Sequence, residues 1–171
     1  MAKMRKVGSI EIAQDLEFQR RSWKVQRFGW VTMMLISVAA LFGLFGGGPL
    51  SSAHLGADGS PLRADYERFL RLDAPAKLTL YIGAAAIRPD STAEVWLDRK
   101  WLEGMEVRSI MPEPAEAQTS AGKVTYKFRL DPSSRPARLT YHLTTHSLGP
   151  ITGRVGLSNG PSYSFSQFSY P

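Results

Sequence analysis

The sequence predicts a mainly β protein, in which an N-terminal amphipathic segment and one transmembrane helix precede an antiparallel, immunoglobulin-like β-sandwich. Three observations lead there. Phe28 to Phe45 (FGWVTMMLISVAALFGLF) runs for 18 residues without a charge. As a helix it would span roughly 27 Å, near the thickness of a bilayer's hydrocarbon core. The basic excess of the chain lies directly before that run. From Leu62 onward apolar residues recur at every second position, the period of half-buried strands. The implied boundaries are a cytoplasmic basic segment over 1–27, a transmembrane helix over 28–48, a flexible linker over 49–61 and an extracytoplasmic β-sandwich over 62–171.

Charge and composition narrow the function. The chain has 171 residues, no cysteine and a net charge of +6. Without cysteine there is no disulfide framework and no thiolate chemistry, and a metal would have to be held by His and carboxylate. Residues 1–27 carry seven Lys/Arg against three acids, and the remainder 14 against 12. The β region is therefore nearly balanced and does not read as a nucleic-acid binder.

In chain order, residues 1–8 read as a basic tip and Ile10 to Arg27 as an amphipathic helix. Ile12, Leu16 and Trp23 gather on one side of it and the cations on the other. Arg20, Arg21, Trp23, Lys24, Arg27 and Trp30 are the expected anchors at the membrane interface, with the cations on anionic lipid headgroups. A docking helix for another protein's cytoplasmic face is the alternative. Four cations precede the apolar run and no charge follows it until Asp58. The positive-inside rule then places the N-terminus in the cytoplasm and the β domain outside. Ser51-Ser52-Ala53 could serve as a signal-peptidase site. The basic region is too long and the apolar run exceeds the usual h-region, so an uncleaved signal anchor is predicted. Ala39, Gly43 and Gly47 recur every fourth residue, which offers a small-residue face for a partner helix. Alternatively Gly46-Gly47-Gly48-Pro49 only ends the helix.

Beyond the Gly/Ser/Pro-rich linker, about eight strands follow. Leu78, Leu80 and Ile82 alternate with polar neighbours, as do Val95 and Leu97. So do Val124, Tyr126, Phe128 and Leu130, and again Leu139, Tyr141 and Leu143. Turn signals such as Arg88-Pro-Asp90 and Ser158-Asn-Gly160 separate them. A helical turn is predicted over Asp98 to Gly104, and a bulge near Ser166-Gln167, where the apolar parity shifts.

No catalytic, cofactor or metal site is predicted. Gly156-Leu-Ser-Asn-Gly160 matches the G-x-S-x-G nucleophile elbow, but no helix, acid or histidine follows it. Asn159-Gly160 reads instead as a hairpin turn with positive φ. His142 and His146, four apart on a strand, would lie roughly 13 Å from each other, too far to share a zinc. His54 falls in the linker. Glu103 with Glu106, and Glu113 with Glu116, show no sign of facing one another. Trp96 is expected in the core. Trp101, following Arg99 and Lys100, is the candidate protein-contact residue; a rim position packing on the sandwich end is the alternative.

Four motifs, Asp15-Leu-Glu-Phe-Gln-Arg-Arg-x-Trp23, Gln26-Arg-x-Gly-Trp30, Leu97-Asp-Arg-x-x-Leu-Glu103 and Gln167-Phe-x-Tyr-Pro171, resemble those of a group of uncharacterised bacterial single-span membrane proteins. These carry an outer β domain and are encoded near a short multi-pass membrane protein. The resemblance covers most of the chain and implies an accessory role without assigning any catalytic residue. The expected function is a non-enzymatic accessory subunit of an inner-membrane complex. Its helix would pack on a multi-pass partner and its β domain would cover that partner's outer face. The alternative is an extracytoplasmic sensor or carrier domain for a small ligand.

Overall fold

A computed structural model describes residues 5–7, 10–12, 16–42, 50–131 and 136–171. The chain divides into two compact units, Met1–Phe42 and Gly43–Pro171, and each is described by itself.

In the first unit β1 (Arg5–Val7) pairs antiparallel with β2 (Ile10–Ile12). The helix predicted from Ile10 therefore begins later, at Leu16, and Ile10–Ile12 is a strand. From there α1 (Leu16–Leu41) is continuous through the cationic turns into the apolar run. Among the described residues no helix is long and apolar enough to cross a membrane. The uncharged part of α1, from Phe28 to Leu41, rises roughly 21 Å against a hydrocarbon core of about 30 Å. Residues 43–48, which complete the predicted span, lie outside the described residues.

The second unit contains β3 (Ser52–Leu55), β4 (Leu62–Glu67), β5 (Phe69–Arg71), β6 (Pro75–Ile82) and β7 (Thr92–Asp98). A short helix, α2 (Arg99–Glu103), follows. Then come β8 (Met105–Met111), β9 (Glu116–Ser120), β10 (Lys123–Arg129), β11 (Ala137–Thr145), β12 (Gly149–Leu157) and β13 (Ser162–Tyr170). They form a six-stranded sheet ordered β5-β13-β12-β7-β10-β9 and a five-stranded sheet ordered β3-β4-β6-β11-β8. Every pairing in these sheets is antiparallel except β13 with β5, which is parallel. The predicted sandwich is thus present as two facing sheets.

Alternation built this core as read. Leu78, Leu80 and Ile82 of one sheet meet Val95, Leu97, Tyr126, Phe128 and Val155 of the other, all buried. Ring contacts cross between the sheets: Tyr126 to Tyr141 at 5.7 Å and Tyr66 to Phe165 at 5.2 Å. Burial on this scale supplies the main drive to fold a cysteine-free domain.

Three expectations change. Part of the predicted flexible linker is sheet: β3 pairs with β4, and Ser51 and Ala53 are buried. Small residues at the inward positions hide the period there. Leu62, Ala64, Tyr66, Leu70 and Leu72 share one parity in the sequence, yet they are divided between β4 in one sheet and β5 and the residue after it in the other. No bulge occurs at Ser166-Gln167, since β13 keeps register with β12 from Ser162 to Ser169. The irregularity lies in β8, where His142 pairs with Ser109 but Leu143 pairs with Val107, leaving Arg108 extra. A bulge on an edge strand discourages further strand pairing.

Candidate functional site

The residues singled out on α1 share one property, exposure. Phe28 is 75% exposed and Leu41 83%, and Trp23, Val25, Trp30, Val31, Met33, Met34, Leu35 and Ile36 are exposed as well. These positions fall on every side of the helix at 100° per residue, so the apolar surface is not a stripe facing a core. The two hydroxyls in the run are satisfied within the helix. Thr32 Oγ1 donates to the Phe28 carbonyl and Ser37 Oγ to the Met33 carbonyl, both at 2.9 Å. A hydroxyl bonded to its own helix has no need of water.

One turn earlier the chemistry changes. Arg20, Trp23, Lys24 and Arg27 fall at i, i+3, i+4 and i+7, so Trp23 shares the cations' face instead of opposing it as expected, and with Gln19 they line a hollow of about 450 Å³. The Arg27 guanidinium lies 5.8 Å from the centre of the Trp23 ring, a distance at which a cation is held by the ring face. Arg21 projects elsewhere. Ala39 is half-buried; Gly43 and Gly47, its partners in the predicted packing face, lie outside the described residues.

In the β domain the two tryptophans exchange their expected places. Trp101 is 1% exposed. Asp98 caps α2 by accepting from the Lys100 N–H, and the helix turns the indole inward. Trp101 Nε1 donates to Gln167 Oε1 at 2.9 Å, and Gln167 Nε2 donates to the Glu67 carbonyl at 2.8 Å. The Phe165 ring meets Trp101 edge-on at 5.3 Å. Trp101 is therefore a core residue and not a contact residue. Trp96 lies on the outer face between inward Val95 and Leu97. Its N–H donates to the Leu157 carbonyl and Lys123 Nζ stands 5.5 Å from its ring centre. The indole lies so close over Gly156 that an added Cβ would come within 2.7 Å of it.

The histidines separate. His54 is on β3 opposite Asp65, and His142 faces outward from β11. His146, just beyond β11, is clamped: Nδ1 lies 2.7 Å from Asp73 Oδ1 and Nε2 lies 3.2 Å from Glu106 Oε2. These carboxylates, Asp73 foremost, hold the imidazole above its usual pKa. Glu106 also pairs with Arg108, whose Nε donates to Thr144. With its two ring nitrogens turned to opposite carboxylates this is an ion cluster, and among the described residues no group of three His, Cys, Asp or Glu could hold a metal. The sequence offered no cue to it, because the three partners are far apart in the chain.

Ser158 sits in the turn between β12 and β13, at the opposite end of the sandwich from His146. The turn is there as predicted, but neither Asn159 nor Gly160 has positive φ. The hairpin closes instead with the Leu157 N–H donating to the Pro161 carbonyl at 3.1 Å. Glu103 pairs with Arg99 on α2, Glu106 with His146 and Arg108, and Glu116 with Gln118.

Open hollows mark the surface of the β domain. One, of about 520 Å³, lies beside Arg63, Tyr81 and Pro136. There the Arg63 guanidinium is already bound by Asp58 and Asp65 and lies 5.6 Å from the Tyr81 ring centre. Another, of about 450 Å³, is bordered by Tyr66, Phe165 and the Arg154–Asp98 pair.

No family model and no curated protein matches this chain. Among solved structures it is similar to a cohesin module from the family 33 glycoside hydrolase of Clostridium perfringens ATCC13124. The TM-score is 0.44 and the identity 13%, over 64% of this chain and 96% of that one. That likeness is too slight to bear on function.

Proposed function

We propose that the protein is a non-enzymatic accessory subunit of a bacterial inner-membrane complex. Its apolar helix is held in the bilayer against a multi-pass partner, and its β domain stands on the outer side. The observation that carries this reading is the exposed apolar surface around α1. Exposed in water, that surface would cost roughly 25 cal/mol for every Å². A helix apolar on all sides belongs in lipid or inside a larger protein. The self-bonded Thr32 and Ser37 and the cation–aromatic collar from Arg20 to Trp30 fit a helix that enters lipid from a basic side. The resemblance to single-span proteins encoded beside a multi-pass protein supports the choice of partner. The small-ligand alternative gains nothing from the hollow at Arg63, whose charge is already met by two carboxylates.

The test is mild-detergent purification of the full chain from its native membrane, with identification of what co-elutes. A multi-pass protein should co-purify. Gly43→Leu should release it at equal membrane abundance, because close approach of helices drives their association in lipid. Leu41→Val serves as the control. Retention of the partner by Gly43→Leu, or absence of any partner, would refute the proposed packing.

A further inference from the structure

We propose that the β domain carries its own lipid-contact patch, formed by Phe69, Phe168 and Pro150 with Leu148 and Leu50 beside them. This rests on the reading of α1 as bilayer-anchored.

The patch follows from strand register. Phe168 on β13 pairs with Phe69 on β5 and with Pro150 on β12. Phe168 lies between buried Gln167 and Ser169, so it points away from the core, where it is 47% exposed. Phe69 precedes buried Leu70 and likewise faces out, and Pro150 is exposed. Three apolar side chains thus lie in one row across the solvent face of three adjacent strands. Polar residues are the usual occupants of that face in an antiparallel sheet. Leu148, 58% exposed, precedes Gly149, which pairs with Ser169. Leu50, 44% exposed, precedes Ser51, whose carbonyl accepts from the Arg68 N–H. The Arg68 carbonyl in turn accepts from the Phe168 N–H.

Among the described residues of this unit, four large apolar side chains are more exposed than the rest: Leu50, Met111, Leu148 and Phe168. Three of the four belong to this patch. Met111 lies toward the other end of the sandwich, near Thr140. Arg68 and Arg71, both exposed, bracket the row. Of the nearby acids, Glu67 is half-buried and held protonated to higher pH by that burial, and Asp73 is bound to His146.

Two arguments favour lipid as the occupant. The first is connection. Leu50 is the first described residue of this unit, and the chain back to Phe42 reaches at most roughly 28 Å when extended. With α1 in the bilayer, that length bounds how far Leu50 can stray from the membrane. The second is size. A stable protein interface needs about 800 Å² on each partner, more than one short row with two flanking leucines provides. A weak contact suffices where the tether keeps the local concentration of the partner surface near millimolar. Aromatic and aliphatic tips among arginines suit an anionic headgroup layer.

The absence of cysteine makes the test direct. Leu148→Cys, Met111→Cys and Ile36→Cys are each labelled with an environment-sensitive fluorophore. The full chain is then placed in phosphatidylethanolamine/phosphatidylglycerol vesicles that contain an acyl-chain quencher. The label at 148 should be quenched several-fold more than that at 111. Phe168→Ser in the Leu148→Cys background should lower this toward the value at 111, with the β-sheet circular dichroism unchanged. Equal quenching at 148 and 111, with Ile36 quenched, overturns the patch and leaves the anchor standing. An unquenched label at Ile36 removes the anchor and the patch together. Shielding at 148 only in membranes that contain the partner overturns the lipid assignment in favour of a protein contact.

Discussion

Replacing Gln167 with Leu tests how the sandwich is locked at the end where α2 packs. The amide is the acceptor for Trp101 Nε1 and the donor to the Glu67 carbonyl, 66 and 100 residues away in sequence. Leucine keeps most of the volume but offers neither bond. A buried donor left without a partner costs roughly 1–3 kcal/mol, and the Trp101 N–H is fully enclosed. The Glu67 carbonyl is only partly buried and adds less. The expected loss is therefore about 2–4 kcal/mol, some 8–16 °C at about 4 °C per kcal/mol for a domain near this size. Trp101→Phe removes the donor and should itself destabilise by about 2 kcal/mol through lost contacts and a small cavity. The informative quantity is the coupling. In the double variant no indole N–H is stranded, so the loss should fall short of the sum of the singles by about 1 kcal/mol or more. The assay is urea denaturation of the full chain in detergent, followed by near-ultraviolet circular dichroism. Additive losses, or a Gln167→Leu protein as stable as its parent, would refute the argument that this network is a buried lock.

Other outcomes follow from the same geometry. The folded protein holds the His146 proton more tightly than the unfolded chain, so this stabilisation is complete below the ordinary imidazole value of 6.5 and is lost as pH rises through the raised value. Thermal melting should fall over that window, and His146→Gln should flatten the dependence; an unchanged slope would sink the clamp. Gly153→Ala would bring a Cβ within 2.9 Å of the Trp101 and Phe165 rings, and overpacking of this kind costs roughly 1–3 kcal/mol in a denaturation midpoint. Gly160→Val should destabilise modestly through contact with Leu157, where an added Cβ comes to 3.0 Å, whereas Ser158→Ala should leave stability unchanged; a large effect of Ser158→Ala would reopen the role of that hydroxyl.

How much of this was legible differs from residue to residue. Strands with large inward residues, such as Leu78-Thr-Leu80-Tyr-Ile82, announce themselves by period. β3 does not, because its inward positions are only Ala53 and Leu55, and the buried residue just before it, Ser51, is small and polar. β13 misled in another way. Its inward row continues from Phe165 to Gln167 and Ser169 while Phe168 faces out, so hydrophobicity alone suggested a shifted parity. The reason, a glutamine bonded to Trp101, is non-local. Parity with the flanking Val95 and Leu97 places Trp96 outside, against the expectation from its large aromatic area. Trp101 lies in a helical turn, where two-residue parity has no meaning. The Asp73–His146–Glu106 clamp joins three segments that only the sheet topology brings together, and no spacing rule reaches it.

The most direct test of the membrane-anchored account uses two cysteine variants in intact cells. Ser158→Cys lies in an exposed turn of the β domain, and Lys3→Cys lies before α1. A membrane-impermeant maleimide should modify Ser158→Cys once the outer permeability barrier is opened, and Lys3→Cys only after the inner membrane is breached. Both proteins should stay with the membrane through an alkaline carbonate wash. Release of the chain by that wash, or modification of Lys3→Cys while Ser158→Cys remains protected, would contradict the account.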